Sequence, residues 1–258
     1  MSAPDTVQAR GGAYLQTGDV RTYYEVRGAG EPLVLLHGGL CTVETFDGLT
    51  PLLAERFRVI VPERRGHGRT ADVPGPLSYR TMGADTVALL DALGISGAHL
   101  LGFSDGAVVA VHVALARPEL VRRMVLIGQP MNHEGLQQGA EEMLENISEM
   151  LPPMLAQLYG AVSPDGAEHF AVVIDKLAAE WRTEPSFTLA ELATITAPSL
   201  VMMGDSDLVT VQHADDLRRT IPGSQLAVVP GATHGLPMEK PDLVARLALE
   251  FLTEEGGG

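Results

Sequence analysis

The chain reads as an α/β protein built on a mostly parallel sheet with helices on both faces. Three observations predict this. Short apolar runs at 33–36, 58–61, 98–101, 121–127 and 199–203 have the length and composition of strands buried on both faces. Segments with helical spacing of apolar residues alternate with those runs, the signature of strand–helix–strand crossovers. The alternation is interrupted once, between 129 and 197, and then resumes with a strand, a helix, a strand and a helix.

Taken in order, residues 13–17 and 20–27 alternate around Gly18-Asp19 and predict a hairpin. The run 33–36 is a short buried strand. Residues 45–57 carry Phe46, Leu49, Leu52 and Leu53 at helical spacing, and 58–61 is the next strand. A glycine-rich loop leads to a helix over 79–93, with Met82, Val87, Leu90 and Leu93 on one face and Gly94 as its stop. Strand 98–101, helix 107–116 and strand 121–127 follow. After the interruption come strand 199–203, helix 212–220, strand 225–229 and a last helix over 241–252 with Pro241 near its start. The interruption is rich in methionine (Met131, Met143, Met150, Met154) and punctuated by prolines 152, 153, 164 and 185. Ser163-Pro164-Asp165 predicts a helix start before 167–181. Residues 1–128 and 198–258 are therefore expected to form one core, and 129–197 a helical cap over the C-terminal edge of its sheet. The cap methionines are expected to face that core, where they offer a soft pocket lining.

The net charge of −15, from 33 acidic and 18 basic residues, makes nucleic acid and anionic membranes poor partners. Cys41 is the only cysteine, which excludes an internal disulfide and a cysteine-based metal cluster. It is expected to be a small packing residue. No stretch approaches a membrane span, and residues 1–11 lack the basic and apolar regions of a secretory signal. A cytoplasmic setting is expected, with a disordered tail over 254–258.

Gly102-Phe103-Ser104-Asp105-Gly106 is the most informative stretch. It is Gly-x-Ser-x-Gly between a strand and a helix, the setting of a nucleophile elbow. The turn forces strained angles on the serine, and small residues two positions to either side let strand and helix nearly touch. A serine hydroxyl needs a base, and the base needs an orienting carboxylate. In a parallel sheet such groups gather in the loops after the strands. Asp205 and Asp207 follow the strand 199–203, and His234 follows 225–229. Chain order Ser, Asp, His is thus met at one sheet edge, with either aspartate open as the acid. His37-Gly38-Gly39-Leu40 follows the strand 33–36, where the oxyanion hole is expected. Its donors are the N–H of Asp105 and that of Gly39, or of Leu40 if the loop is shifted by one. Leu40, Phe103 and Asp105 flank the nucleophile and are the candidate substrate contacts. The Asp105 carboxylate could attract a substrate ammonium group, or it could pair locally.

On these residues the chain resembles the α/β-hydrolase superfamily over nearly its whole length. His-Gly-Gly at 37–39, Gly-Phe-Ser-Asp-Gly at 102–106, Gly-Asp-Ser-Asp at 204–207 and Gly-Ala-Thr-His at 231–234 fall in family order. The resemblance implies a mostly parallel eight-stranded sheet flanked by helices, with an inserted helical cap. It implies Asp207 rather than Asp205 as the triad acid. The loop Glu63-Arg64-Arg65-Gly66-His67-Gly68-Arg69-Thr70 is similar to the family's Asp-x-Arg-Gly-x-Gly-x-Ser, a structural loop, with Glu63 and Thr70 as departures. Ser-Asp-Gly at the elbow and Leu158-Tyr159-Gly160 resemble the biphenyl-hydrolase-like and valacyclovir-hydrolase-like esterases.

Gly66-His67-Gly68-Arg69-Thr70-Ala71 also matches a dinucleotide fingerprint, but Pro74, Gly75 and Pro76 follow where a helix must open. No cofactor and no metal site is expected. Trp181 is expected to be a packing residue. The reading is a serine hydrolase that cleaves a small carboxylic ester through an acyl-enzyme, with Ser104, Asp207 and His234 as its triad. A lactone substrate, carbon–carbon bond hydrolysis or perhydrolysis would use the same triad. A non-catalytic ligand-binding module is the alternative of another class.

Overall fold

The computed structural model describes residues 11–150 and 153–254. The start through residue 10 and the tail expected beyond Glu254 lie outside the described residues. Eight strands form one sheet: β1 (Gly12–Thr17), β2 (Val20–Arg27), β3 (Glu31–Leu36), β4 (Phe57–Pro62), β5 (Ala98–Phe103), β6 (Val121–Ile127), β7 (Ser199–Ser206) and β8 (Gln225–Thr233). Their order is β1-β2-β4-β3-β5-β6-β7-β8. β1 and β2 form the expected hairpin, with Thr17 opposite Val20. β2 also pairs antiparallel with β4, and every later pairing is parallel. This is the α/β-hydrolase arrangement, with β5 near the centre.

The longer helices are α1 (Tyr79–Ala92), α2 (Asp105–Ala116), α3 (Pro153–Val162), α4 (Phe170–Trp181), α5 (Val211–Thr220) and α6 (Pro241–Thr253). Two apolar clusters sandwich the sheet. One joins α1 and α2 to residues such as Val34, Leu100 and Leu126; the other joins α6 to Leu35, Leu101 and Val125. The alternation of Leu33 to Leu36 between the clusters is why that strand carries no polar residue.

The segment expected as a helix over 45–57 is mostly not one. A short 3₁₀ turn, Val43–Phe46, and a single helical turn, Thr50–Leu53, are all that forms. Gly48 and Pro51 interrupt the pattern, and Phe57 already belongs to β4. The buried face of α1 is Tyr79, Met82, Gly83, Thr86, Leu89 and Leu90, one row away from the face expected through Val87 and Leu93. Between β6 and β7, short helical pieces, then α3 and α4, then Leu189–Leu192 replace a single crossover helix. Of its methionines, Met131 is buried, but Met150 and Met154 are exposed. The expectation that the methionines face the core therefore fails for those two, because they lie on the outer side of the α3 region.

The loop 63–70 is a buried polar hub. The fully buried Glu63 accepts from Nη1 of Arg69 at 2.7 Å, from its backbone N–H, and from the N–H of Val43 at 3.3 Å. Thr70 donates to the Glu63 carbonyl at 2.8 Å and accepts from the N–H of Tyr23 at 2.9 Å. One buried carboxylate thus ties three segments together. Replacing Glu63 by Ala leaves Arg69 and the Val43 N–H without it, so Glu63→Ala is expected to lower unfolding free energy by about 3 kcal/mol, read by urea denaturation.

Candidate active site

The strand β5 and helix α2 meet at Ser104 with almost no connecting loop. Ser104 has φ 53° and ψ −122°, a backbone conformation rarely taken by a residue with a side chain. Its N–H donates to the Ile127 carbonyl at 2.8 Å and its carbonyl accepts from Ala107 N–H at 2.8 Å. A Cβ on Gly102 would overlap the Ala107 backbone, and one on Gly106 would overlap the carbonyls of Leu36 and His37. Glycine at both places is what lets the turn close.

His234 follows the last residue of β8, and Asp207 follows the last residue of β7. His234 Nδ1–H donates to Asp207 Oδ1 at 2.7 Å, and His234 Nε2 faces Ser104 Oγ at 3.0 Å. With its proton held on Nδ1, the imidazole presents Nε2 as an acceptor for the serine hydroxyl. The Asp207 side chain is fully buried. Asp205 is turned outward and accepts from the N–H of Gly231 at 3.0 Å. That bond holds its carboxyl below the usual range. The two aspartates that the residues alone left open are separated where the pairing of β7 with β8 shifts register between Gly204 and Ser206: Asp207 reaches the histidine and Asp205 braces a turn.

The loop after β3 is pinned by one carbonyl. The Gly38 oxygen accepts from Nη2 of Arg64 at 2.7 Å, from His37 Nδ1–H at 2.8 Å and from the N–H of Cys41 at 3.3 Å. His37 Nε2 accepts from the Arg64 N–H at 3.2 Å, which settles the tautomer. Burial, then the Arg64 charge, hold His37 well below its ordinary pKa, so the ring stays neutral. A trans peptide places its N–H opposite its C=O. Fixing the Gly38 oxygen on Arg64 therefore points the Gly39 N–H away from Arg64. Gly39 lines the cavity that contains Ser104, Asp105 and His234. Leu40, at φ 57°, turns into a separate cavity.

The cavity over Ser104 has a volume of about 180 Å³ and mostly apolar walls, including Val108, Leu136, Trp181 and Leu208. Two expected substrate contacts are corrected here. Leu40 does not line it. Nor does Phe103, which is buried in the opposite apolar cluster with its ring 5.2 Å from that of His234. As the residue before Ser104 on a strand, Phe103 points to the other face and supports the imidazole from beneath. Asp105 does line the cavity, but its carboxylate is occupied. Oδ1 accepts from the Tyr79 hydroxyl at 2.9 Å, Oδ2 from Nε1 of Trp181 at 3.1 Å, and Arg64 lies 3.9 Å from Oδ2. Local pairing, not a free ammonium receptor, describes this side chain. Burial and the Asp105 charge drive the Tyr79 hydroxyl well above its ordinary pKa, so it remains a donor.

A model of the alpha/beta hydrolase family matches residues 33–247. The chain belongs to the alpha/beta hydrolase family. It is 31% identical to the 2-hydroxy-6-oxononadienedioate/2-hydroxy-6-oxononatrienedioate hydrolase 2 of Pseudomonas putida, over 91% of this chain and 92% of that one. It is 29% identical to the serine hydrolase BPHL of Homo sapiens, over 90% of this chain and 83% of that one. Among solved structures it is similar to a thermophilic esterase from Thermogutta terrifontis, with TM-score 0.76 and 25% identity over 94% of this chain and 98% of that one. As a hydrolase of this family it shares a scaffold with enzymes whose names describe different substrates.

Among the described residues, no grouping of His, Cys, Asp and Glu could hold a metal ion, and no helix is long and apolar enough to cross a membrane. Two features of the hydrolase site escaped the sequence reading. Trp181 is more than packing, because it lines the cavity and bonds Asp105. Glu180, beside it on α4, is only 3% exposed, and neither carboxyl oxygen has a hydrogen-bond partner. Burial, then the nearby Asp105 charge, push its pKa from the ordinary 4.5 up to about 9. A glutamate in an amphipathic helix reads as solvent-facing, so no sequence signal marked it.

This has a consequence for stability. The folded chain keeps the Glu180 proton up to about pH 9, whereas the unfolded chain releases it near 4.5. The unfolded state binds fewer protons in that window, so this group lowers stability as pH rises through it, by at most about 1.4 kcal/mol per pH unit. Glu180→Gln is expected to flatten the profile, matching the parent near pH 5 and melting higher near pH 8. Parallel melting curves across pH 5–9 are the check, and equal slopes for both proteins would contradict it.

Proposed function

We propose that this protein is a serine hydrolase that cleaves a small carboxylic ester through an acyl-enzyme. The observation that carries the reading is the unbroken line from Asp207 through His234 to Ser104, at 2.7 and 3.0 Å. In this reading Ser104 Oγ attacks the ester carbonyl as His234 Nε2 takes its proton. Asp207 holds the imidazole in the required tautomer and stabilises its charge. The N–H groups of Gly39 and Asp105 hold the developing oxyanion, each worth a few kcal/mol in the transition state. His234 returns the proton to the leaving alcohol. It then activates a water that hydrolyses the acyl-enzyme. Residues 129–197 act as the cap that shapes the pocket, with Trp181 as their main contribution.

The walls bear on the substrate. Among the described residues, no lysine or arginine lines the cavity, whereas Asp105 and Glu184 do. A substrate with a free carboxylate beside the scissile bond would find no cation in those walls to offset its desolvation, and a neutral ester needs none. This favours ester cleavage over carbon–carbon cleavage of an oxo acid on the same triad. The cavity of about 180 Å³ favours short acyl groups.

An activated ester such as 4-nitrophenyl acetate is expected to give burst kinetics. Ser104→Ala should abolish the burst and lower kcat by roughly 10⁶, and Asp207→Asn should lower it by roughly 10⁴ through the wrong histidine tautomer. Turnover by Ser104→Ala at the parent rate would remove Ser104 as the nucleophile. In a series of matched esters, short acyl chains should outrun long ones, and a carboxylate on the acyl group should depress kcat/KM. A preference for the charged ester would argue against this pocket reading.

A further inference from the structure

Trp181 is the only tryptophan in the chain and the last residue of α4. The body of that helix is anchored by Val173, Ile174, Leu177 and Ala178, which are buried. Trp181 itself is half-buried, and its indole forms part of the wall of the cavity over Ser104. A half-buried side chain at the end of a helix keeps rotamer freedom unless a second group fixes it.

The fixing group is the carboxylate of Asp105, one residue beyond Ser104. Its Oδ2 accepts from Nε1–H of Trp181 at 3.1 Å. The carboxylate is itself held. The Tyr79 hydroxyl donates to Oδ1 at 2.9 Å from the start of α1, and Arg64 lies 3.9 Å from Oδ2. Asp105 is 7% exposed, so water competes little for its oxygens. The loop after β3 makes room for the ring. A Cβ on Gly39 would overlap both the edge of the Trp181 ring and the Asp105 carboxylate. A wall that belongs to the segment between β6 and β7 is thus positioned by two residues of the core, Asp105 through a bond and Gly39 through the side chain it lacks.

We propose that Asp105 is a positioning residue that latches Trp181 and thereby fixes the length of the acyl group that the cavity over Ser104 admits. The inference rests on the hydrolase reading of Ser104 and adds what sets the substrate range. With the indole latched, the cavity keeps its volume of about 180 Å³ and closes against longer acyl chains. With the indole released, the ring turns at the end of α4 and longer chains enter. The carboxylate acts on selectivity through Trp181.

The test reads the ratio of kcat/KM for 4-nitrophenyl hexanoate to that for 4-nitrophenyl acetate. A general loss of structure lowers both together and leaves the ratio where it is. Asp105→Leu keeps much of the side-chain volume but has no acceptor, and it should raise the ratio about tenfold, the scale on which an apolar pocket discriminates by size. In Asp105→Asn the amide oxygen still accepts from the indole while the amide nitrogen donates to the Tyr79 hydroxyl, so the ratio should stay at the parent value, whatever the absolute rates. Trp181→Phe breaks the same bond from its other end and should also raise the ratio. Adding Asp105→Leu to it should raise the ratio no further. Equal ratios in the Asn and Leu variants, an unchanged ratio in folded Trp181→Phe, or additive gains in the double variant would overturn the latch. Because Trp181 is the single tryptophan, its fluorescence reports on the latch without any turnover. Acrylamide should quench it more readily in Asp105→Leu than in Asp105→Asn or the parent. That result from a parent that turns over no ester would remove the hydrolase reading and support the latch. Equal quenching in all three, with turnover intact, would overturn the latch and leave the hydrolase reading standing.

Discussion

The strained turn at Ser104 is the constraint on which the rest of the molecule depends. A left-handed φ at a residue with a side chain costs on the order of 1–3 kcal/mol and persists only where its surroundings leave no alternative. Here the surroundings are the centre of the sheet. The Ser104 N–H is held by β6, its carbonyl starts α2, and the glycines on either side bring that helix against the carbonyls of Leu36 and His37. Relaxing the turn would separate α2 from β5 and open both apolar clusters at once. The strain is thus offset by the burial of the whole central layer, and its product is a hydroxyl held clear of the sheet.

A second, smaller constraint organises the opposite wall. Arg64 binds the Gly38 carbonyl and lies beside the Asp105 carboxylate. It therefore sets both the peptide plane that carries the Gly39 N–H and the charge environment next to Ser104. Asp105 in turn joins α1 through Tyr79 to α4 through Trp181. A carboxylate at the first position of α2 is also favoured by the positive end of that helix. The buried charges are matched on the core side by one guanidinium. Glu180, with no such partner, remains protonated instead. Opposite solutions to the same desolvation problem stand within one small region.

Most of the fold was legible because its strands are continuous apolar runs and its turns are punctuated by glycine. All eight strands start within two residues of where the pattern placed them, and β2, β5, β6, β7 and β8 start at the same residue. The exception in the early chain, 45–57, had the right apolar residues for a helix. Gly48 and Pro51 broke it into two turns, and the demand for a parallel partner beside β3 drew Phe57 into β4. In the segment between β6 and β7 the pattern gave helices but not their orientation. Met150 and Met154 are as apolar as Met131, yet they face outward, because orientation there is set by what α3 and α4 rest upon.

For the site, the sequence by itself determined which residues were available and where each would sit. Ser104 lies between a strand and a helix, with Asp207 and His234 after later strands and a glycine pair after β3. Period and turn chemistry are local properties, and they are enough to place loops at one edge of a sheet. What only the tertiary structure decided are the choices between neighbours. Asp207 rather than Asp205 meets the histidine, because the end of β7 shifts register against β8 between Gly204 and Ser206. Gly39 rather than Leu40 lines the cavity that holds Ser104, and Arg64, distant in sequence, holds the Gly38 oxygen. The carboxylate of Asp105 is committed to Tyr79 and Trp181, and the proton of Glu180 is retained, because burial and partners arise only when remote segments pack. Those are differences of one residue or one proton, and a one-dimensional pattern carries no information at that scale.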